Sequence, residues 1–442
     1  MIERQPVLRR ELRFWHLVLF NLSAIVGVRW LASAAHAGAG SLTLWLLAAA
    51  AFLVPSALVV ASLSARFPDE GGLYVWTKNA FGAWHGFLCA WLYFISVILF
   101  LPTLLLAGIS MAGYLFGATG VKYSEDPVFT IPVTLAALWL AFLANLVGLR
   151  IGKWPALLGG ATTYLIVIVL SVFAVMVGLR YGSATHFRLM PEASWGTLNF
   201  WSQIALGMTG LELAPILGGE IRDPDKSVPR AAWISCGACA LYYIAGTAAL
   251  LVLLPAERIS QLTGLAQAGE VASLRLGAGW ASPVFALLIT LGFIGQLSTY
   301  IAANTRLPFT LGIDDYLPPA FAELHPRWGT PHFSILLQAI LATVLLLLAQ
   351  LGENLRAGYQ IMVDMVVIST LVPLVYIFAS GFKFGQRWAG TFGGLIGMIA
   401  IVLSVVPPGD APSVWRFELK VIGGTILLAF FGWIVFSQAK HA

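Results

Sequence analysis

The chain has 442 residues, of which 59% are hydrophobic and 10% charged, with a formal net charge of +5. A soluble domain carries about 25% charged residues, and chains beyond roughly 250–300 residues split into domains that each need a polar exterior. The solvent is therefore lipid, which excludes a large extramembrane domain, a nucleic-acid module and an ordinary soluble enzyme.

Residues 1–13 hold four arginines and read as a cytoplasmic tail. The apolar stretch that follows is long and lacks a small-residue cleavage site, so it is a first membrane span and not a removable signal. Apolar runs between Gly, Pro and charge punctuation then predict about twelve spans, near 14–37, 42–66, 83–116, 128–147, 155–179, 197–218, 230–254, 283–305, 333–350, 358–380, 388–406 and 417–437. At about 20 residues each they take up about 240 residues. Residues 438–442 form a second short tail. With both termini inside, sixteen of the 25 Lys and Arg residues fall on inside segments and eight on outside ones. Cationic loops stay cytoplasmic, which supports that orientation in the cell membrane. The remaining cation, Arg29, has no loop to occupy.

Two spans look interrupted. The first carries Gly27 and Arg29 at mid-span, and the sixth carries Gly207 and Gly210 with Glu212 two residues on. Irregular backbone survives at membrane depth only where protein or a water-lined cavity supplies hydrogen-bond partners. The interruptions each begin a set of five spans, and paired interruptions in corresponding halves point to a secondary transporter built on inverted repeats. The repeats are expected at 14–180 and 195–380, with spans eleven and twelve at 388–437 as additions. Gly390, Gly393, Gly394 and Gly397 in the eleventh span are read as packing against a neighbour. The three cysteines, Cys89, Cys236 and Cys239, lie in apolar runs and imply no disulfide framework; Cys236-x-x-Cys239 has redox or metal spacing but no basic neighbour to lower a thiol pKa, and is read as packing.

The segment Phe67-Pro68-Asp69-Glu70-Gly71-Gly72-Leu73-Tyr74-Val75-Trp76 resembles the loop between the second and third spans of the amino acid-polyamine-organocation (APC) transporter superfamily. Gly210-Leu211-Glu212 and the stretch from Gly219 to Ala231 resemble its sixth span and following loop, and Asn304 through His332 supplies a third match. Ile25 to Arg29 and Phe52 to Pro55 are most similar to the glutamate/GABA antiporter-like branch. The resemblance implies an all-α integral membrane protein with the LeuT-type five-plus-five inverted repeat, broken helices 1 and 6 and two extra C-terminal helices. It also implies transport of amino acids or related amines.

In a broken helix, the free N–H groups that open the second half carry partial positive charge, and the free C=O groups that close the first carry partial negative charge. A zwitterion fits that pair, and the resemblance implies its carboxylate near Gly27, Val28, Arg29, Trp30 and Ser33 and its ammonium near Leu206, Gly207, Met208, Thr209 and Gly210. Arg29 either binds a substrate carboxylate, pairs with Glu212, or stays hydrated in a vestibule. Glu212 is the candidate proton carrier or, alternatively, a carboxylate accepting backbone N–H groups at the half-helix start. Tyr93 and Trp201 are candidate gates, and Asp364 is either a packing carboxylate or a coupling residue. The fold's sodium-coupled members imply a candidate cation site at Ser298 and Thr299. The cytoplasmic loop Glu220 to Arg230 either forms ion pairs that shut the inward gate or stays solvated.

The function expected is a permease moving amino acids by alternating access, as an antiporter or a proton-coupled symporter. A polyamine or other amine is the alternative substrate. Coupling to H+ or Na+ and homodimerisation stay open. No cofactor or metal is expected, and none of the standard metalloprotease or phosphate-loop motifs occurs.

Overall fold

The computed structural model describes residues 8–188, 190–191, 197, 200, 204, 207–351, 355–405, 415 and 418–439, the side chains of 349–367 and 420–421 excepted. Among these residues every regular element is a helix. The first crossing is two helices, α1 (Phe14–Ile25) and α2 (Val28–His36), bent by 41°. Then come α3 (Ser41–Arg66), α4 (Leu73–Phe81), α5 (Ala83–Ala112), α6 (Gly117–Tyr123), α7 (Pro127–Leu146) and α8 (Leu149–Tyr181). The sixth crossing is described in part and ends in α9 (Leu213–Ile216). The chain continues through α10 (Pro224–Leu253), α11 (Gly264–Arg275), α12 (Ala281–Asn304), α13 (Arg306–Ile313), α14 (His332–Leu351), α15 (Leu355–Lys383), α16 (Arg387–Val405) and α17 (Gly424–Ala439). Among the described residues seven helices are long and apolar enough to cross a membrane, or eight with the bent α1–α2 pair taken as one span. Three shorter apolar helices lie in α14, α15 and α17.

The sequence predicts loops where α4 and α11 form. At 12 residues α11 is about 18 Å long, too short for a bilayer core of about 30 Å, and its polar Gln267 and Glu270 break the apolar run on which span recognition depends. A second correction concerns Arg306. The spacing places it in a loop, whereas the apolar stretch runs from Ala281 to Ile313 and buries Arg306 to 1% exposure.

The core is set by close helix crossings. The glycines Gly159 of α8 and Gly295 of α12 let the two backbones touch, since a Cβ on Gly295 would overlap the Gly159 Cα and lie 2.7 Å from the Pro155 carbonyl oxygen. Small residues of this kind are how membrane helices gain van der Waals contact without a hydrophobic driving force. The two C-terminal helices are peripheral. Gly390 and Gly393 of α16 lie against Phe378 and Phe382 of α15, and Gly397 against Val375. On α17, Gly432 receives Trp91 of α5, whose Nε1 donates to the Leu428 carbonyl at 2.9 Å. Val128, Leu179 and Trp280 are among the large apolar side chains left exposed. The three cysteines are buried thiols.

Candidate functional site

Breaking a helix leaves the last carbonyls of its first half without intrahelical donors. At the end of α1 three side chains take them up. The Tyr300 hydroxyl donates to Ala24 O at 3.1 Å, the Tyr243 hydroxyl lies 2.8 Å from Ile25 O, and Gln296 Nε2 donates to Val26 O at 3.3 Å. Val26 and Gly27 are extended, and the Gly27 N–H donates to the Tyr243 hydroxyl at 3.0 Å.

The second break is the stretch Thr209–Gly210, where the backbone leaves the helix and Gly210 adopts φ +124°, a conformation that disfavours any side chain. A Cβ there would also meet the Ile25 Cα at 3.0 Å. The two unwound stretches therefore touch, and Tyr243 reaches both, its hydroxyl lying 2.7 Å from Gly207 O.

Between them lies a narrow cavity of about 30 Å³, room for about one water molecule. Ile25, Gly27 and Trp30 line it from the first break and Thr209 from the second, while Tyr93, Ser96, Val97, Phe100, Gln296, Tyr300 and Thr370 close the remaining walls. Backbone of two half-helix termini, aromatic rings and a few hydroxyls suit a small polar solute with an apolar part.

Glu212 is 3% exposed. Its Oε1 accepts from the Tyr93 hydroxyl and its Oε2 from the Gly210 N–H, both at 2.9 Å. Arg29 is 4% exposed, with its guanidinium carbon 4.3 Å from the centre of the Trp30 ring and 5.3 Å from that of Phe100. No Arg29–Glu212 ion pair is among those formed by the described residues. Val28 and Met208 are buried in the core, Gly207 packs beside the Trp45 and Trp30 rings, and Ser33 is half-buried one turn beyond Trp30. Trp201 and Leu206 lie outside the described residues, as does the Asp364 side chain.

Ser298 and Thr299 do not meet at one point. Thr299 Oγ1 reaches Ser23 Oγ on α1 at 3.1 Å, whereas Ser298 Oγ points to Gly152 O on α8 and accepts from Asn145 on α7, both at 3.2 Å. Successive residues on a helix face different neighbours.

A second cluster closes the end of the molecule at which the N-terminal segment lies. Arg306 Nε donates to Glu220 Oε1 at 2.7 Å in an ion pair with both side chains buried. Leu12 adds a two-sided backbone clasp, with its N–H on Glu220 O at 3.0 Å and its C=O accepting from the Arg222 N–H at 2.9 Å. Glu70, in the turn after α3, accepts from the Gly219 N–H through Oε2 at 2.7 Å, while its enclosed Oε1 has no hydrogen-bond partner. Burial, reinforced by the Glu220 charge and opposed by Arg306 and the Gly219 N–H, pushes the Glu70 carboxyl well above the usual carboxylate range. A carboxyl raised by folding adds stability below its unfolded pKa, and that stability is lost as pH rises through the folded value. The wild type should therefore lose thermal stability from acidic toward neutral pH, and Glu70→Gln should flatten that slope. Melting curves of the two proteins across pH check this, and identical slopes would contradict it.

The sequence analysis missed Tyr243, Tyr300 and Gln296, along with Phe100, Ser96 and Thr370. For all but Phe100, which offered none, the one available signal was a polar atom in an otherwise apolar span.

Residues 12–415 match the family model described as amino acid permease. The chain is 25% identical over 452 residues to an uncharacterized transporter of Legionella pneumophila, covering 96% of each. It is 27% identical over 333 residues to an uncharacterized transporter of Mycobacterium bovis, covering 73% of this chain and 70% of that one. The probable agmatine/putrescine antiporter of Lactococcus lactis is 23% identical over 313 residues, covering 70% and 66%. Among solved structures, the crystal structure of MhsT in complex with L-phenylalanine superposes with a TM-score of 0.60 at 14% identity, covering 95% of this chain and 98% of that one. The fold is the LeuT type.

Proposed function

The chain belongs to the amino acid permease family and is a multi-pass membrane transporter, not an enzyme, and from that premise we propose that it carries amino acids by alternating access around its two broken helices. The observation that carries this reading is the contact between the breaks, with Ile25, Gly27 and Thr209 all facing one cavity. The carboxylate of the solute lies at the start of α2, where free N–H groups and Arg29 are concentrated, and its ammonium lies at the carbonyls that close the two first halves. Residues 14–180 and 195–380 act as the two repeats, and the end bearing Leu12, Glu220 and Arg306 faces the cytoplasm of the cell, as the excess of inside cations supports.

Arg29 lies against the rings of Trp30 and Phe100, two residues that line the cavity, and a cation there favours a solute with a carboxylate over a polyamine, because two buried like charges repel. The test is thermal stabilisation of the purified protein across the twenty amino acids, 4-aminobutyrate, agmatine and putrescine, followed by counterflow in proteoliposomes. A ligand at 100 times its Kd adds about 2.7 kcal/mol. Stabilisation and counterflow by an amino acid support the reading; a response confined to agmatine and putrescine rejects it.

Glu212 is the proton carrier of this scheme, held between a phenol and a backbone amide beside the second break. Glu212→Gln should retain solute binding and remove the pH dependence of uptake. Proteoliposome uptake across pH decides the point, and a variant with the wild-type profile rejects the role.

A further inference from the structure

Tyr243, on α10, is the side chain through which the two breaks are joined. Its oxygen lies 2.8 Å from Ile25 O and 2.7 Å from Gly207 O and accepts from the Gly27 N–H at 3.0 Å. The ring is held in place from behind. It stacks on Trp45 at 4.1 Å between centroids and 11° between planes, and Trp45 Nε1 in turn donates at 3.1 Å to Thr247 Oγ1, one turn along α10.

A phenol carries one hydrogen, so it satisfies only one of the two carbonyls at a time. Two carbonyls therefore converge on a single donor, and the other accepting position is open to a group with several N–H donors. Ile25 and Gly27 also form the cavity wall at this point. Resting on the amino-acid reading above, we propose that Tyr243 is the positioning residue for the amine end of the solute: its hydroxyl holds the ends of both half-helices at a fixed separation, so that an ammonium meets a preformed pair of carbonyls. Alignment completed before binding is not charged against affinity.

Its neighbour provides the control. Tyr242 packs edge-on against Tyr243 at 5.5 Å, and its own buried hydroxyl makes no hydrogen bond among the described residues. The experiment compares the full-length wild type with Tyr243→Phe and Tyr242→Phe in two measurements. The first is deuterium exchange of the peptide containing Gly27. The second is the thermal shift given by L-glutamate and 4-aminobutyrate, set against their amine-free counterparts glutarate and butyrate.

Tyr243→Phe should speed exchange at Gly27, whose amide loses its acceptor. It should also raise the half-maximal concentration of the amine probes about tenfold, because the carbonyl pair is no longer held at a fixed separation and its alignment is charged against binding, while leaving any response to glutarate and butyrate unchanged. Tyr242→Phe should do neither. Thr247→Val, which frees the Trp45 ring without touching either break, should weaken the amine probes in the same direction, and it serves as the test should Tyr243→Phe not fold. Unchanged exchange at Gly27, or equal weakening of probes with and without an amine, overturns the proposal. Faster exchange in a protein whose wild type responds to no amine upholds the joint between the breaks and rejects the amino-acid reading on which the amine role rests.

Discussion

Arg306→Ala should be among the most damaging single substitutions in the chain. Arg306 and Glu220 form a buried ion pair at 2.7 Å, and Arg306 Nη1 also donates to Thr305 Oγ1 at 3.1 Å. Removing the guanidinium strands the Glu220 carboxylate in the protein interior beside Glu70, whose Oε1 is already without a partner. Breaking such a pair from one side costs about 3–5 kcal/mol, whereas replacing both partners by apolar side chains of similar volume is near neutral. The double variant Arg306→Met, Glu220→Met should recover most of the loss. Thermal unfolding of the purified single and double variants checks this. An Arg306→Ala protein as stable as the wild type would show that the pair contributes little. The same substitution also loosens the closed end, because Glu220 carries the backbone clasp with Leu12 as well as the ion pair.

Gly295→Ala should be comparably severe although it adds only one carbon. The new Cβ would overlap the Gly159 Cα and lie within 2.7 Å of Pro155 O. Both are backbone, so no rotamer change relieves the clash, and α8 and α12 must separate along their shared interface. Overpacking a core costs about 1–3 kcal/mol, and a backbone-to-backbone collision belongs at the upper end. Gly237→Ala on α10 is the matched control, since a Cβ there meets nothing within 4 Å. It should be neutral or gain up to about 1 kcal/mol from the lower flexibility of alanine. Equal melting temperatures for the two variants would contradict the account of the crossing.

The parts of the fold legible in the sequence were those written along one chain segment. Apolar length marked the crossings, Gly27 and Gly210 marked the irregular backbone, and Glu212 stood out as a carboxylate inside an apolar span. The parts that were not legible depend on which face of one helix meets another. Tyr243 is an ordinary aromatic residue in an apolar run until α10 is placed across both breaks. Tyr300 and Gln296 likewise gain meaning only from the carbonyls of Ala24 and Val26 opposite them. Ser298 and Thr299, offered as a cation site by the resemblance alone, hydrogen-bond to different neighbours, Gly152 and Ser23, and those partners too depend on how the helices are placed. Arg306 was assigned to a loop because a charge normally ends a span, and its partner Glu220 lies 86 residues away. Tyr93 and Glu212 were each singled out as gate or proton candidates; the structure adds the hydrogen bond that joins them.

The decisive measurement is a structure of the protein determined with the amino acid that stabilises it most. Solute density should lie between Gly27–Trp30 and Gly207–Gly210, beside the Tyr93 hydroxyl, with both stretches unwound. Density at any other position, or continuous helix through either stretch, would contradict the assignment of the broken helices as the carrier's binding site.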